Sequence, residues 1–132
     1  MIDTHLHLDD PAFSGKVDEI IAQMTLCGVE LAINNSCDFA TMHSGVALAD
    51  KYEQIFATVG MHPHDSKSFD DAFERDMRAL AANPKVVAVG EIGLDYHYDL
   101  SDRDVQRDVF ARQIEIADEL KLPLTLHIRE AY

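Results

Sequence analysis

Residues 86–95 read VVAVGEIGLD, and this stretch decides the fold. Its first half, Val86 to Gly90, is apolar throughout, which is typical of a strand buried in a parallel sheet. Its second half starts with Glu91 and ends with Asp95. A carboxylate at the end of a buried strand needs a cation, a basic side chain or solvent beside it, because an unpaired buried charge is costly. The stretch therefore predicts a parallel sheet with a polar site at its edge.

Four other segments have the same Val, Ile, Leu and Ala character, and helical patterns separate them. The predicted strands are Met1 to Thr4, Leu31 to Asn35, Ile55 to Gly60, Val86 to Gly90 and Leu124 to Ile128. Alternation of strand and helix permits an open doubly wound sheet or an eight-stranded barrel, and periodicity does not choose between them.

Four helices are predicted between these strands. Ser14 is a possible cap of the first, Asp38 and Asp70 begin the second and third, and Ser101 with Asp104 resembles a capping box for the fourth. The predicted buried stripes are Val17, Ile20, Ile21 and Met24; Phe39, Met42, Val46 and Ala49; Phe73, Met77 and Leu80; and Phe110, Ile114, Ala117 and Leu120.

Size and charge restrict the class of protein. With 132 residues, 47% of them hydrophobic, the chain is long enough for one domain, residues 1–132. The formal charge of −13 argues against nucleic-acid binding through a broadly basic surface, so an anionic substrate would need metal ions for attraction. No apolar run is long enough to span a bilayer and no secretion signal is visible, so we expect a cytoplasmic protein without membrane contact.

His5 and His7 are two residues apart, so an extended strand projects both imidazoles from one face. They can reach one metal ion together, with Asp3 on the same face as an outer partner. A single histidine on a strand would more often be an ordinary core or surface residue. Two at this spacing favour metal ligation.

His127 and Arg129 end the fifth strand with the same spacing. An imidazole and a guanidinium on one face suggest a metal ligand beside a group that binds an anion. Solvent-facing side chains would explain this segment alone, but less well once His5, His7 and Glu91 occupy the same ends of other strands.

His62 and His64 lie in a polar turn after the third strand, where they are candidates for holding substrate oxygens; a simple turn is the alternative. Asp95 is equally compatible with a loop or helix cap and with a place in the site. Cys27 and Cys37 lack the close paired spacing of metal or redox motifs, so we expect reduced thiols.

Four motifs together resemble the TatD family of metal-dependent deoxyribonucleases, in the amidohydrolase superfamily. They are DTHLH at residues 3–7, GMHPH at 60–64, GEIGLDY at 90–96 and LTLHIREA at 124–131. The resemblance runs across the whole chain, and four motifs in order at strand ends are specific.

The resemblance implies a TIM-type barrel with its site at the carboxyl ends of the strands. It also implies two divalent ions, of Mg, Mn or Zn, and a DNA substrate bound as a single strand or at a 3′ end. By this likeness His5 and His7 bind one ion, the catalytic Glu91 bridges both and His127 binds the second. His62, His64 and Arg129 would face the scissile phosphate.

The sequence departs from the family pattern after residue 132, where members contribute another histidine and a late aspartate. Since an eight-stranded barrel needs about 200 residues or more, we expect an incomplete TIM-type (β/α) barrel with about five parallel strands and four helices, weak or inactive by itself. One alternative is a non-catalytic metal-binding half-barrel that self-associates or pairs with a complementing chain through unpaired strand edges. Another is a different ester or amide hydrolase of the amidohydrolase superfamily.

Overall fold

Five parallel strands and four α-helices alternate along the chain in a computed structural model that describes residues 1–132. The strands are β1 (Ile2–Leu6), β2 (Leu31–Asn34), β3 (Ile55–Val59), β4 (Val86–Asp95) and β5 (Leu124–Arg129). The helices are α1 (Val17–Leu26), α2 (Phe39–Lys51), α3 (Asp71–Leu80) and α4 (Arg103–Leu120). Two short 3-10 helices, Pro11–Phe13 and Pro63–Ser68, follow β1 and β3.

The sheet has the order β1-β2-β3-β4-β5, so each strand pairs with the next one along the chain. All four pairings are parallel. A parallel sheet that winds in one direction with a helix in each connection is part of a (β/α) barrel. The prediction of an incomplete TIM-type barrel is confirmed. Because all the strands are parallel, their carboxyl ends lie at the same end of the sheet.

The core lies between the sheet and the helices that cover it. Its fully buried members include Met42 from α2, Met77 from α3, Ile116 from α4 and Ile55 from β3. The helix starts follow the predicted caps at Asp38 and Asp70, whose carboxylates accept the backbone N–H of Thr41 and Phe73. The predicted caps are therefore confirmed for both α2 and α3, and the buried side of α3 includes the predicted Phe73 and Met77.

Two residues of the predicted stripes are wrong. Phe39 is 53% exposed because it lies in the first turn of α2, where its ring packs on His43. Ile114 is 39% exposed because the buried face of α4 passes through Gln106 and Gln113 instead. Both glutamines are fully buried and accept backbone N–H groups, Gln106 from Asp95 in β4 and Gln113 from Met61 just after β3, a function that an apolar periodicity does not reveal.

Two predicted caps are also wrong. The N-cap of α1 is Lys16, without a side-chain hydrogen bond, and Ser14 ends the first 3-10 helix. Asp102 precedes α4, also without a side-chain cap, while the Ser101 hydroxyl donates to the carbonyl of His64. Ser101 therefore connects α4 to the turn after β3.

β1 and β5 form the two edges of the sheet. Ile2 on β1 is 57% exposed and Leu126 on β5 is 52% exposed, whereas β3 between them is largely buried. Among the helices, none combines the length and hydropathy that a membrane span requires.

Candidate metal centre

Every residue predicted for the site lies at the carboxyl ends of the strands. These residues are His5 in β1, His7 just after it, His62 and His64 after β3, Glu91 in β4, and His127 and Arg129 in β5. Asp95, for which the sequence left two alternatives, joins them as the last residue of β4. The strand extends five residues past Gly90 because residues 92–95 continue the pairing with β5.

Glu91 is the central side chain of this group, and it is 7% exposed. Its Oε2 atom lies 3.2 Å from Nε2 of His5 and 3.7 Å from Nε2 of His7. Its Oε1 atom lies 3.1 Å from Nδ1 of His127. One oxygen of the carboxylate therefore faces the imidazoles at the end of β1, and the other faces the imidazole of β5. These two strands form the opposite edges of the sheet.

The orientation of His7 is fixed by the β2 end. Nδ1 of His7 lies 2.9 Å from the backbone carbonyl of Asn35, which can only accept a hydrogen bond. Nδ1 must therefore carry the hydrogen, and in the neutral ring Nε2 presents a lone pair toward Glu91. Asp3 accepts the backbone N–H of His5 at 3.0 Å and does not contact the imidazole, so its contribution is to the strand.

His127 lies opposite Gly93 in the β4–β5 pairing. Alternate residues of a strand share a face, so the side chains of Glu91 and Asp95 lie on the same face of β4, one on each side of Gly93. Nε2 of His127 lies 2.9 Å from Oδ2 of Asp95, and the same oxygen lies 2.8 Å from Nε2 of His64. Asp95 thus connects the β3 turn to β5.

Asp95 has no exposed surface, yet it remains an acceptor. Burial by itself raises the pKa of its carboxyl group. Hydrogen bonds from the backbone of Tyr98, from the imidazoles of His64 and His127, and from the backbone of His97 overcome this and hold the pKa of Asp95 well below its usual range.

His62 is a buried, neutral imidazole. Burial, with the imidazoles of His127 and His64 nearby, lowers the pKa of His62 to about 3, so its ring is neutral near pH 7. Its Nδ1 atom accepts the backbone N–H of His64 at 3.2 Å, which leaves the hydrogen on Nε2. The ligand atoms of His62, His64 and His127 lie within 4.8 Å of one another, but this tautomer makes His62 a donor rather than a metal ligand.

A buried hydrogen-bond cluster supports Glu91 from behind. The carbonyl of Ser36 accepts the backbone N–H of Glu91 at 2.7 Å. The Ser36 hydroxyl lies 2.9 Å from the carbonyl of Gly90, to which the Thr58 hydroxyl also donates. Ser36 and Thr58 have no exposed surface, so β2 and β3 hold the backbone beside the carboxylate.

Two glycines let β4 approach β5 closely. A Cβ atom at Gly90 would lie 1.7 Å from Oγ1 of Thr125, and one at Gly93 would lie 2.0 Å from the carbonyl of His127. Gly93 also has a φ of +147°, which side-chain-bearing residues rarely adopt. These positions require glycine for the carboxylates of β4 to reach His127.

Arg129 lies at the rim of the site. Its guanidinium carbon is 5.0 Å from the centre of the Tyr98 ring, and its side chain forms no ion pair. A cation without a carboxylate partner at the rim of the site is suited to an anionic ligand. Cys37, which follows β2, lies close to Glu91. Burial, together with the charge of Glu91, raises the pKa of its thiol to about 12. It is therefore a neutral thiol, and both cysteines are free.

The donor set fits divalent metal ions. Two ligands that each lie ~2.1 Å from one ion are separated by roughly 3 Å, and the pairs His5–Glu91 and His127–Glu91 are 3.2 and 3.1 Å apart. The ligand atoms of His5, His7 and Glu91 all lie within 4.8 Å of one another. Imidazole and carboxylate together suit Zn²⁺, Mn²⁺ or Mg²⁺.

Fold and site together define a partial (β/α) barrel with a cluster of histidines and carboxylates, suited to divalent metal, at the carboxyl ends of its strands. The family model described as TatD-related DNase matches residues 2–132, and the chain belongs to this family.

Two kinds of relative support this membership. The chain is 35% identical over 131 residues to an uncharacterized metal-dependent hydrolase, YabD, from Bacillus subtilis, covering 99% of this chain and 51% of YabD. It is also 35% identical over 132 residues to a 3′-5′ ssDNA/RNA exonuclease TatD from Cronobacter sakazakii, covering 100% of this chain and 50% of that protein. The chain thus spans about half the length of these relatives.

Solved structures agree with the fold. The crystal structure of YjjV, a TatD homologue from Escherichia coli K12, superposes with a TM-score of 0.91 at 32% identity, over 98% of this chain and 51% of that one. A TatD-family hydrolase from Entamoeba histolytica gives a TM-score of 0.91 at 22% identity, over 99% of this chain and 50% of that one. The second likeness supports the fold alone.

Proposed function

We propose that the chain forms part of a divalent-metal-dependent phosphodiesterase that acts on DNA, with Glu91 at the centre of a two-ion site. The observation that carries the proposal is the orientation of this carboxylate. One oxygen faces His5 and His7, and the other faces His127. A buried carboxylate with imidazoles at both oxygens is the arrangement expected of a ligand that bridges two cations.

The chain's own residues then have distinct functions. His5 and His7 would hold one ion, and His127 would hold the other. Glu91, the proposed catalytic residue, would bind both ions. Two divalent ions bound in this way supply Lewis acidity and lower the pKa of a bound water. Nε2–H of His62 would donate to a phosphate oxygen, and Arg129 would supply a positive charge at the rim; the tautomer of His62 and the lack of an ion pair at Arg129 support these functions.

The substrate class follows from charge and from relatives. The formal charge of −13 is unsuited to nucleic-acid binding through a basic surface, so cations in the site would provide the attraction. The Cronobacter relative is named as an exonuclease of single-stranded DNA and RNA. We therefore expect a single-stranded or 3′-terminal DNA substrate. For His64 we retain substrate contact as a prediction, although Nε2 of this residue is directed at Asp95.

The test is cleavage of a labelled single-stranded oligonucleotide with Mg²⁺ or Mn²⁺, by this chain and by a relative twice as long. Glu91→Gln should abolish cleavage. Glu53→Gln removes the same charge from an exposed residue at the opposite ends of the strands and should leave cleavage unchanged. If both proteins leave DNA intact but hydrolyse a carboxylic ester or an amide, the assignment to phosphodiesters is wrong. The same experiment tests the expectation that the chain is weak or inactive by itself, since this chain should then cleave the oligonucleotide more slowly than the longer relative or not at all.

A second candidate function, assembly through the sheet edges, is favoured by the exposure of Ile2 and Leu126 on β1 and β5. Unpaired edge strands with exposed apolar residues are suited to pairing with another chain. Light scattering across a range of concentrations would detect self-association, and Leu126→Lys should weaken it. A monomer at all concentrations argues against self-association.

A further inference from the structure

The Asp95 carboxylate has the most complete set of partners in the molecule. Its Oδ1 atom accepts the backbone N–H groups of His97 at 3.0 Å and Tyr98 at 2.9 Å. Its Oδ2 atom contacts Nε2 of His64 at 2.8 Å and Nε2 of His127 at 2.9 Å. The oxygens thus face two backbone donors on one side and two imidazoles on the other.

The backbone of Asp95 is held as firmly as its side chain. Oε1 of Gln106 accepts the Asp95 N–H at 2.8 Å, and Nε2 of Gln106 donates to the Asp95 carbonyl at 3.1 Å. Gln106 and Asp95 both have no exposed surface. A carboxylate fixed in this way can impose an orientation on its partners, because it has no freedom to follow them.

We propose that Asp95 is a positioning residue that fixes the tautomers of His64 and His127 by accepting the Nε2 hydrogen of each. A carboxylate with two backbone donors on one oxygen acts as an acceptor at the other. Both imidazoles must then carry hydrogen on Nε2, and a neutral ring presents the Nδ1 lone pair. Nδ1 of His127 lies 3.1 Å from Oε1 of Glu91, so a neutral ring would present this lone pair to the second ion of the proposed function, bound between the two atoms.

An isosteric substitution separates this function from packing. In Asp95→Asn the backbone donors of His97 and Tyr98 require an acceptor, so the amide oxygen must occupy the Oδ1 position. The amide nitrogen is then directed at the two imidazoles as a donor. Both Nε2 atoms become acceptors and their hydrogens move to Nδ1, as expected when a carboxylate behind a histidine is replaced by an amide.

The primary measurement is the ¹⁵N NMR signal of each imidazole in metal-free protein, which reports the nitrogen that carries hydrogen. The wild-type protein should show hydrogen on Nε2 of His64 and His127, and Asp95→Asn should remove it from both of these nitrogens. Asp70→Asn makes the same change at the N-cap of α3, where asparagine caps equally well, and should move neither. A wild-type Nε2 without hydrogen on either ring would overturn the proposal, and this result needs no variant to fold.

The consequence for metal rests on the proposed function and is measured separately. Outer partners of this kind are worth about 10- to 100-fold in metal affinity, so a Mn²⁺ titration of Asp95→Asn should show a loss in this range. Asp95→Asn with wild-type affinity and unchanged tautomers overturns the inference. A wild-type protein that binds no Mn²⁺ contradicts the proposed function instead, while the tautomers still decide the inference.

Discussion

The Glu91 carboxylate and the His127 imidazole approach to 3.1 Å between Oε1 and Nδ1, although β4 and β5 do not pair these residues directly. His127 is paired with Gly93, two residues after Glu91. Since Gly93 has no side chain, the imidazole can occupy the space between the carboxylates on either side of it. The contact between two neighbouring strands thus depends on a residue that contributes no functional group.

This geometry predicts how metal binding divides among the ligands. The wild-type protein should bind two equivalents of Mn²⁺ in a calorimetric titration. His5→Gln should weaken one binding event, because His5 faces only one oxygen of Glu91. Glu91→Gln should weaken both, by more than the ~10- to 100-fold typical of an outer partner.

His43→Gln is the matched control for this titration. His43 lies on α2, is paired with Asp76 and is absent from the site. Its substitution should leave both events unchanged. Binding by Glu91→Gln that equals the wild type would remove the bridging function of Glu91.

The sequence predicted the strands well because a buried parallel strand has a direct signature in its apolar run. It was less accurate where polar residues continue a strand. β4 extends to Asp95, since its glycines and carboxylates still pair with β5. β1 likewise extends to Leu6 and includes His5.

The site could be predicted as a set of positions but not as a set of contacts. Period-two spacing placed His5 with His7, and strand ends placed Glu91 with His127. The contact of His64 with Asp95 joins residues on different strands, and only the sheet order decides it. Glu91, Gly93 and Asp95 do follow a period of two, and that spacing was the available signal for a second carboxylate in the site.

The buried cluster behind Glu91 had a weaker signal. Ser36 follows an apolar strand, as loop residues commonly do, and a hydroxyl-bearing residue such as Thr58 is ordinary within a strand. Their hydroxyls reach β4 because β2, β3 and β4 lie side by side. Nothing in the local sequence distinguishes this from solvent exposure.

The neutral state of His62 predicts a dependence of stability on pH. An unfolded histidine binds a proton below a pKa of about 6.5, whereas the pKa of His62 in the folded protein is about 3. Between these values the unfolded state binds the extra proton, so the free energy of unfolding falls as the pH falls. The contribution has a slope of at most about 1.4 kcal/mol per pH unit.

Urea unfolding of metal-free protein from pH 7 to pH 4 measures this slope. His62→Gln should lose the contribution, so its stability should fall less steeply than that of the wild type. His43→Gln again serves as the control, because His43 is exposed. Parallel curves for the wild type and His62→Gln would contradict a neutral buried His62.

Gly90 and Gly15 have opposite surroundings, so replacing each with alanine should lower the free energy of unfolding by different amounts. At Gly90 a Cβ atom would lie 1.7 Å from Oγ1 of Thr125 and 2.7 Å from its carbonyl oxygen, so β4 and β5 must separate. We expect Gly90→Ala to cost about 3 kcal/mol or more and to weaken Mn²⁺ binding, because Glu91 follows directly. Gly15 has a φ of +76° with nothing within 4 Å, so Gly15→Ala should cost only ~1–2 kcal/mol and leave metal binding intact. Chemical denaturation measures both costs, and equal costs would contradict the close approach of the strands.

Two buried threonine hydroxyls provide the sharpest test of the packing beneath the site. Oγ1 of Thr125 is buried without a hydrogen-bond partner, whereas Oγ1 of Thr58 donates to the carbonyl of Gly90 and accepts the N–H of Ser36 at 3.0 Å. Valine has nearly the same shape as threonine. Thr125→Val removes an unsatisfied polar group and should leave the free energy of unfolding unchanged or raise it by about 1 kcal/mol. Thr58→Val leaves the backbone N–H of Ser36 without its acceptor and removes one of the two hydroxyls that donate to the Gly90 carbonyl, so it should lower the free energy of unfolding by ~1–3 kcal/mol.

The two substitutions remove the same atom, so their difference isolates the hydrogen bonds. Thr58→Val should also weaken Mn²⁺ binding, because it removes one hydrogen bond from the Gly90 carbonyl, which directly precedes Glu91, while Thr125→Val should not. Denaturant titration with a shared slope measures the stability of both variants. If Thr125→Val lowers the free energy of unfolding by more than about 1 kcal/mol, the Thr125 hydroxyl has a hydrogen-bond partner, such as a buried water. The interface between β4 and β5 would then be less tightly packed than the close approach of Gly90 to Thr125 requires.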